Sequence, residues 1–96
     1  MKQFENKTTE IAKDTNENCR YSDLIELQLK RVTQAGLSYE DIENRLKISE
    51  VLKSSNGEIG LEDGYFKYLK KLINDARWGV VHKDLIQLKD DINAVK

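Results

Sequence analysis

Residues 1–20 read MKQFENKTTEIAKDTNENCR, and whether they can be buried decides the fold of the whole chain. Their sizeable apolar groups are Phe4, Ile11 and Cys19, set among Lys, Glu, Asp, Asn and Thr with four basic and four acidic side chains. Ordering each residue costs about 1–2 kcal/mol of backbone entropy, which so few apolar groups cannot offset. The composition predicts a flexible polar tail over 1–20, able to gain order against a partner, and a single helical domain over 21–96.

Four helices are expected in that domain. Ser22 is a good N-cap and Ile25, Leu29 and Val32 follow at i, i+4, i+7, which predicts a first helix to about Gln34, with Gly36 as a left-handed terminator. Ser38 followed by Asp41 resembles a capping box and opens a second helix, in which Ile42, Leu46, Val51 and Leu52 recur until Ser54-Ser55-Asn56-Gly57 stop it at about Lys53. Glu58-Ile59-Gly60-Leu61 alternates and could be extended, but offers no second strand to pair with, so it is expected to be a packed connector. The third helix opens at Glu62 or Asp63 and lines Phe66, Leu69, Leu72, Ile73 and Ala76 on one face, with Gly79 as its stop. His82 is placed to cap the last helix, whose Leu85, Leu88, Ile92 and Val95 form a seam. Short links between the four predict an all-α fold, a small orthogonal or up-and-down bundle preceded by the tail.

At 96 residues the chain should bury about 65% of its unfolded surface, enough for one core and not for two domains. No apolar run approaches the roughly 20 residues of a membrane span, and one cysteine cannot form an internal disulfide, so a cytoplasmic, membrane-free protein is expected. Catalysis is not expected. Cys19 and His82 are the only thiol and imidazole, no glycine-rich elbow or phosphate-cradling loop surrounds either, and zinc would want more ligands of these types than the chain holds. Asp90 with Asp91, and Glu62 with Asp63, are carboxylate pairs outside any calcium-loop pattern. Neither a metal nor a cofactor is called for.

Gly36-Leu37-Ser38-Tyr39-Glu40-Asp41-Ile42, continuing to Ile48-Ser49-Glu50, resembles the first two-thirds of a helix-turn-helix of the sigma-factor or response-regulator kind. That resemblance implies DNA contact through Arg45, Lys47, Ser49 and Lys53. Leu61 to Leu72, continuing through Ala76-Arg77-Trp78-Gly79-Val80-Val81-His82, resembles the C-terminal part of small helical accessory proteins encoded by bacteriophages, which implies one of several roles, assembly and host-factor inhibition among them. Charge separates the two implications. The chain carries 16 basic and 17 acidic side chains, divided 4 and 4 over 1–20, 5 and 6 over 21–56, and 7 and 7 over 57–96, so no segment has the basic footprint of a DNA reader. A protein partner is therefore the primary expectation. Its contact surface should be the aromatic and cationic set Tyr65, Tyr68, Lys70, Arg77 and Trp78, with self-association through the C-terminal helix as a further expectation.

Overall fold

Glu58-Ile59-Gly60-Leu61, the alternating stretch without an evident partner, finds one at the very start of the chain. In the computed structural model, which describes residues 1–13 and 16–96, β1 (Lys2–Glu5) and β4 (Glu58–Leu61) pair antiparallel, with Phe4 opposite Ile59 and Lys2 opposite Leu61. The pleat turns Phe4, Ile59 and Leu61 inward, and each is nearly or wholly buried. A second antiparallel pair joins β2 (Thr8–Ala12) to β3 (Asn18–Arg20). Its register slips between Thr8 and Ala12, and the buried Thr9 hydroxyl fills the irregularity: it donates to the Cys19 carbonyl at 2.7 Å and accepts from the Ile11 N–H at 3.2 Å.

These pairs overturn the all-α expectation and the purely helical bundle. The fold is α+β, in the order β1, β2, β3, α1 (Tyr21–Leu29), α2 (Tyr39–Ser54), β4, α3 (Asp63–Asn74), α4 (Lys83–Asn93). Among the described residues, the segment expected to be a tail supplies three of the four strands, and Asp14 and Thr15 within it lie outside the described residues. A radius of gyration of 12.9 Å, close to the ~12.5 Å of a compact chain this long, leaves no room for an extended arm.

Two polar joints make the early residues part of the domain. Asn6 is buried, accepts from the Ser22 N–H at 2.9 Å, and donates to the Ser22 hydroxyl at 3.1 Å and the Asn56 carbonyl at 3.3 Å. Ser22 thus binds the first strand's end and leaves the helix N-cap to Arg20. At the second joint the Asp91 carboxylate accepts from Tyr21 Oη (2.6 Å), Lys7 Nζ (2.9 Å) and Gln87 Nε2 (2.8 Å), tying β1's exit and α1 to α4. Burial pushes the Asp91 carboxyl up, but the bonds from Tyr21, Lys7 and Gln87 outweigh it and hold the group below its ordinary range. Burial, then the Asp91 bond, push the Tyr21 phenol well above its ordinary value.

The core gathers Leu24, Ile25 and Leu29 of α1, Ile48 and Leu52 of α2, Phe66, Leu69 and Ile73 of α3, and Leu85, Leu88 and Ile92 of α4 around Phe4, Cys19, Ile59 and Leu61. The Phe4 and Phe66 rings meet at 6.2 Å between centroids, tilted by 58°. Gly36, at φ 78°, sits in the α1–α2 link and not at a helix end, because α1 stops at Leu29 and leaves Val32 exposed. The expected Ser38–Asp41 box opens α2, with the Asp41 N–H on Ser38 Oγ at 3.0 Å, and His82 Nδ1 accepts from the Asp84 N–H at 3.1 Å to cap α4. Among the described residues no helix is long and apolar enough to cross a membrane.

Candidate interaction surface

Where α3 lies against α2, and the end of α1 against the α3–α4 link, packing leaves a run of shallow concavities that share their walls. The first, about 490 Å³, is lined by Glu40, Asn44, Glu62, Tyr65, Lys67, Tyr68 and Lys71. Tyr68 and Lys71 also wall a smaller one of about 190 Å³, which shares Arg45, Leu72 and Asp75 with a third of about 300 Å³. Gln28, Arg31 and Arg77 lead on to a fourth of about 380 Å³ beside Trp78. The result is a trough from Tyr65 at the start of α3 to Trp78 beyond its end. Both aromatics are half-buried and pack on the core with one face.

This trough joins four of the five residues expected to make the protein interface: Tyr65, Tyr68, Arg77 and Trp78. Lys70 lines none of its concavities; it is half-buried elsewhere on α3, and its carbonyl accepts from Asn74. Gln28 and Arg31 are trough residues that sequence reasoning passed over, since nothing local signals that the end of α1 faces the α3–α4 link. Gln28 Nε2 donates to the Arg77 carbonyl at 3.0 Å, and Arg31 Nη1 donates to the same oxygen. Among the described residues, Lys67, Lys71, Arg31 and Arg77 form no ion pair, so their charges are open to a bound molecule.

The trough's middle is held by a three-residue network. Tyr68 Oη donates to Asp41 Oδ1 and accepts from Arg45 Nε, both at 3.0 Å. Bonds from Ser38 and Tyr68 hold the Asp41 carboxyl below its ordinary range. For the Tyr68 phenol, burial is the largest influence and pushes it up, while Arg45 works the other way. Arg45 Nη1 reaches on to the carbonyls of Leu29 (3.2 Å) and Arg31 (2.6 Å), closing the exposed C-terminal end of α1.

The residues implied by the helix-turn-helix resemblance are placed differently. The turn that such a motif needs at Ile48-Ser49 lies inside the continuous helix α2. Arg45 is spent on α1, and Ser49 Oγ donates to Glu26 at 2.6 Å, while Lys47 and Lys53 are exposed. Ile42 and Leu46, read as part of a buried stripe, are 39% and 66% exposed, because α2 turns Ile48 and Leu52 to the core. The last helix's Leu85, Leu88 and Ile92 are buried within the domain, which uses up the seam expected for self-association.

Cys19 is buried in β3, and His82 caps α4. Folding also brings Glu10 of β2 to His82 and Asp84, with one ligand atom of each within 4.8 Å of the others. Local charges already satisfy this trio. Lys83 Nζ sits 3.2 Å from Glu10, Asp84 accepts from the Glu10 N–H at 2.8 Å, and the Nδ1 lone pair of His82 serves the cap at the positive end of α4. It reads as a polar joint between the β2–β3 hairpin and α4. No protein-family model matches the chain, and neither a curated protein nor a solved structure is found to be similar to it.

Proposed function

We propose that this protein works by binding another protein, without catalysis, and that the trough between Tyr65 and Trp78 is the contact surface. The observation that supports this reading is the continuity of the trough: separate elements converge to place two half-buried aromatics at its ends and four cations without ion pairs along it. Aromatic and Arg side chains that expose one face next to a well-packed core are the groups that dominate protein interfaces. A shallow trough suits a segment of polypeptide better than a small molecule, which needs a site enclosing most of its surface. Glu40, Glu62 and Asp75 stand among the cations, so the partner segment would carry both signs of charge and an apolar group for each end. A cytoplasmic setting belongs to the same reading, since the one thiol is buried and needs no oxidising compartment. An accessory or inhibitory role toward a host factor is the biological form that the resemblance over 61–82 suggests.

The test is affinity capture from the native cell lysate with the full chain, a Lys71→Glu/Arg77→Glu double variant, and Ile86→Glu on α4 as control. A protein retained by the wild type and the control but lost by the double variant is the expected result. Trp78 is the chain's one tryptophan, so its fluorescence should shift when the purified partner is added. Equal retention by all three chains would refute the assignment, and low-salt retardation of DNA with no protein retained would point to nucleic acid as the partner instead.

A further inference from the structure

The outward face of α2 carries large apolar side chains where a solvated helix would carry polar ones. Tyr39 is 87% exposed, Leu46 66% and Ile42 39%, and none of them packs on the core. Their spacing, i, i+3, i+7, makes one stripe on the side away from Ile48 and Leu52. Lys53, also exposed, continues it seven residues beyond Leu46, just as Tyr39 precedes Leu46 by seven. Seven residues are close to two helical turns, so Tyr39, Leu46 and Lys53 fall almost on one line along the helix. The charges within about 60° of that line are Glu43 and Glu50 against Lys53, while Glu40 and Lys47 lie farther round the helix.

We propose that a second copy of this chain covers this stripe, the two α2 helices lying antiparallel about a two-fold axis that passes between their Leu46 side chains. The spacing selects this geometry. Rotation about Leu46 exchanges positions seven before and seven after it, so each Tyr39 ring meets the Lys53 ammonium of the other copy, a cation–π contact made twice. Leu46 packs on its own counterpart, with Ile42 beside it on the same face. A parallel pairing would instead set Lys53 on Lys53 and Glu50 on Glu50, opposing like charges directly. The last-helix seam cannot serve, being buried, and none of the stripe residues lines the trough, which takes Glu40, Asp41, Asn44 and Arg45 from α2. The dimer therefore does not depend on the protein-binding reading above.

One helix pair buries less than the roughly 1,200 Å² at which stable complexes begin, so the dimer should be weak, with a dissociation constant in the micromolar range or above. Sedimentation equilibrium from low-micromolar to submillimolar protein should show a monomer–dimer equilibrium. Leu46→Glu should weaken it by at least about tenfold, whereas Ile86→Glu, at another exposed apolar position on α4, should leave it unchanged. Leu46→Cys should form a disulfide between copies under mild oxidation, since a residue on the axis meets itself. A strict monomer over the whole range overturns the proposal. So does a dimer that Leu46→Glu leaves intact, or a persisting dimer in which Leu46→Cys does not cross-link.

Discussion

Replacing Phe4 by Ala asks whether the first residues are part of the core or an appendage to it. The Phe4 ring is 7% exposed, tilted against Phe66, and carried on a strand that pairs opposite the fully buried Ile59. Removing a buried phenyl ring costs about 3–5 kcal/mol, the lower end applying where the surroundings can relax. A four-residue outer strand can relax, so about 3 kcal/mol is expected, a large part of the roughly 5–14 kcal/mol of a domain this size. With about 4–8 °C lost per kcal/mol, the thermal midpoint should fall by about 12–24 °C. Thermal and urea unfolding followed by circular dichroism measure this directly, with Gln3→Ala on the exposed side of the same strand as the control. A solvated tail would let Phe4→Ala pass with a change of about 0.5 kcal/mol or less, as at an ordinary surface site. That result would refute the placement of β1, and with it the β1–β4 pair.

Arg45→Ala should cost about 1–2 kcal/mol in urea unfolding, since it opens the carbonyl end of α1 and removes the donor that orients Tyr68; Arg45→Lys should recover only part, having no fork to span both. His82→Ala should cost about 1 kcal/mol through loss of the α4 cap and His82→Asn much less, as thermal melts would report. The folded Asp91 carboxyl sits below its unfolded value, so the stability it contributes is full above that value, near 3.8, and is lost as pH falls through the folded one. Asp91→Asn should therefore lower the midpoint at neutral pH and flatten its decline below about pH 4, measured by melts across that range; an unchanged acid limb would argue against the network with Tyr21 and Lys7.

Local signals in the sequence located the helices well. The Ser38–Asp41 box, the Phe66-Leu69-Ile73 face, the His82 cap and the Leu85-Leu88-Ile92 seam each depend on residues within a turn or two of one another, and each stands where expected. The strands were not legible because their meaning is non-local. Phe4 is a lone apolar residue until Ile59 stands opposite it, and Asn6 is an ordinary polar residue until Ser22 and Asn56 enclose it. Ile42 and Leu46 show the converse: their helical spacing is sound, but spacing does not say which side of α2 meets the core, and Ile48 with Leu52 decided that. Of the candidate surface, the aromatic surplus at Tyr65, Tyr68 and Trp78 was visible as composition. That Arg31 and Gln28 join it was not, because α1 ends earlier than its apolar pattern suggests, held there by Arg45.

The pairing of β1 with β4 also sets an order of events during synthesis. Lys2–Glu5 is made well before its partner, which is completed only about 56 residues later, so at roughly 5–20 residues per second the strand waits some 3–11 s, plus transit out of the ribosome, with its edge unpaired. The β2–β3 hairpin and α1 need no such delay, and should form on the nascent chain first. A strand waiting in this way is exposed to wrong partners; β1 is short and carries Lys2 and Glu5, features that discourage edge-to-edge association. Its sparse apolar content, which hides the strand from a reader of the sequence, also keeps it soluble while it waits.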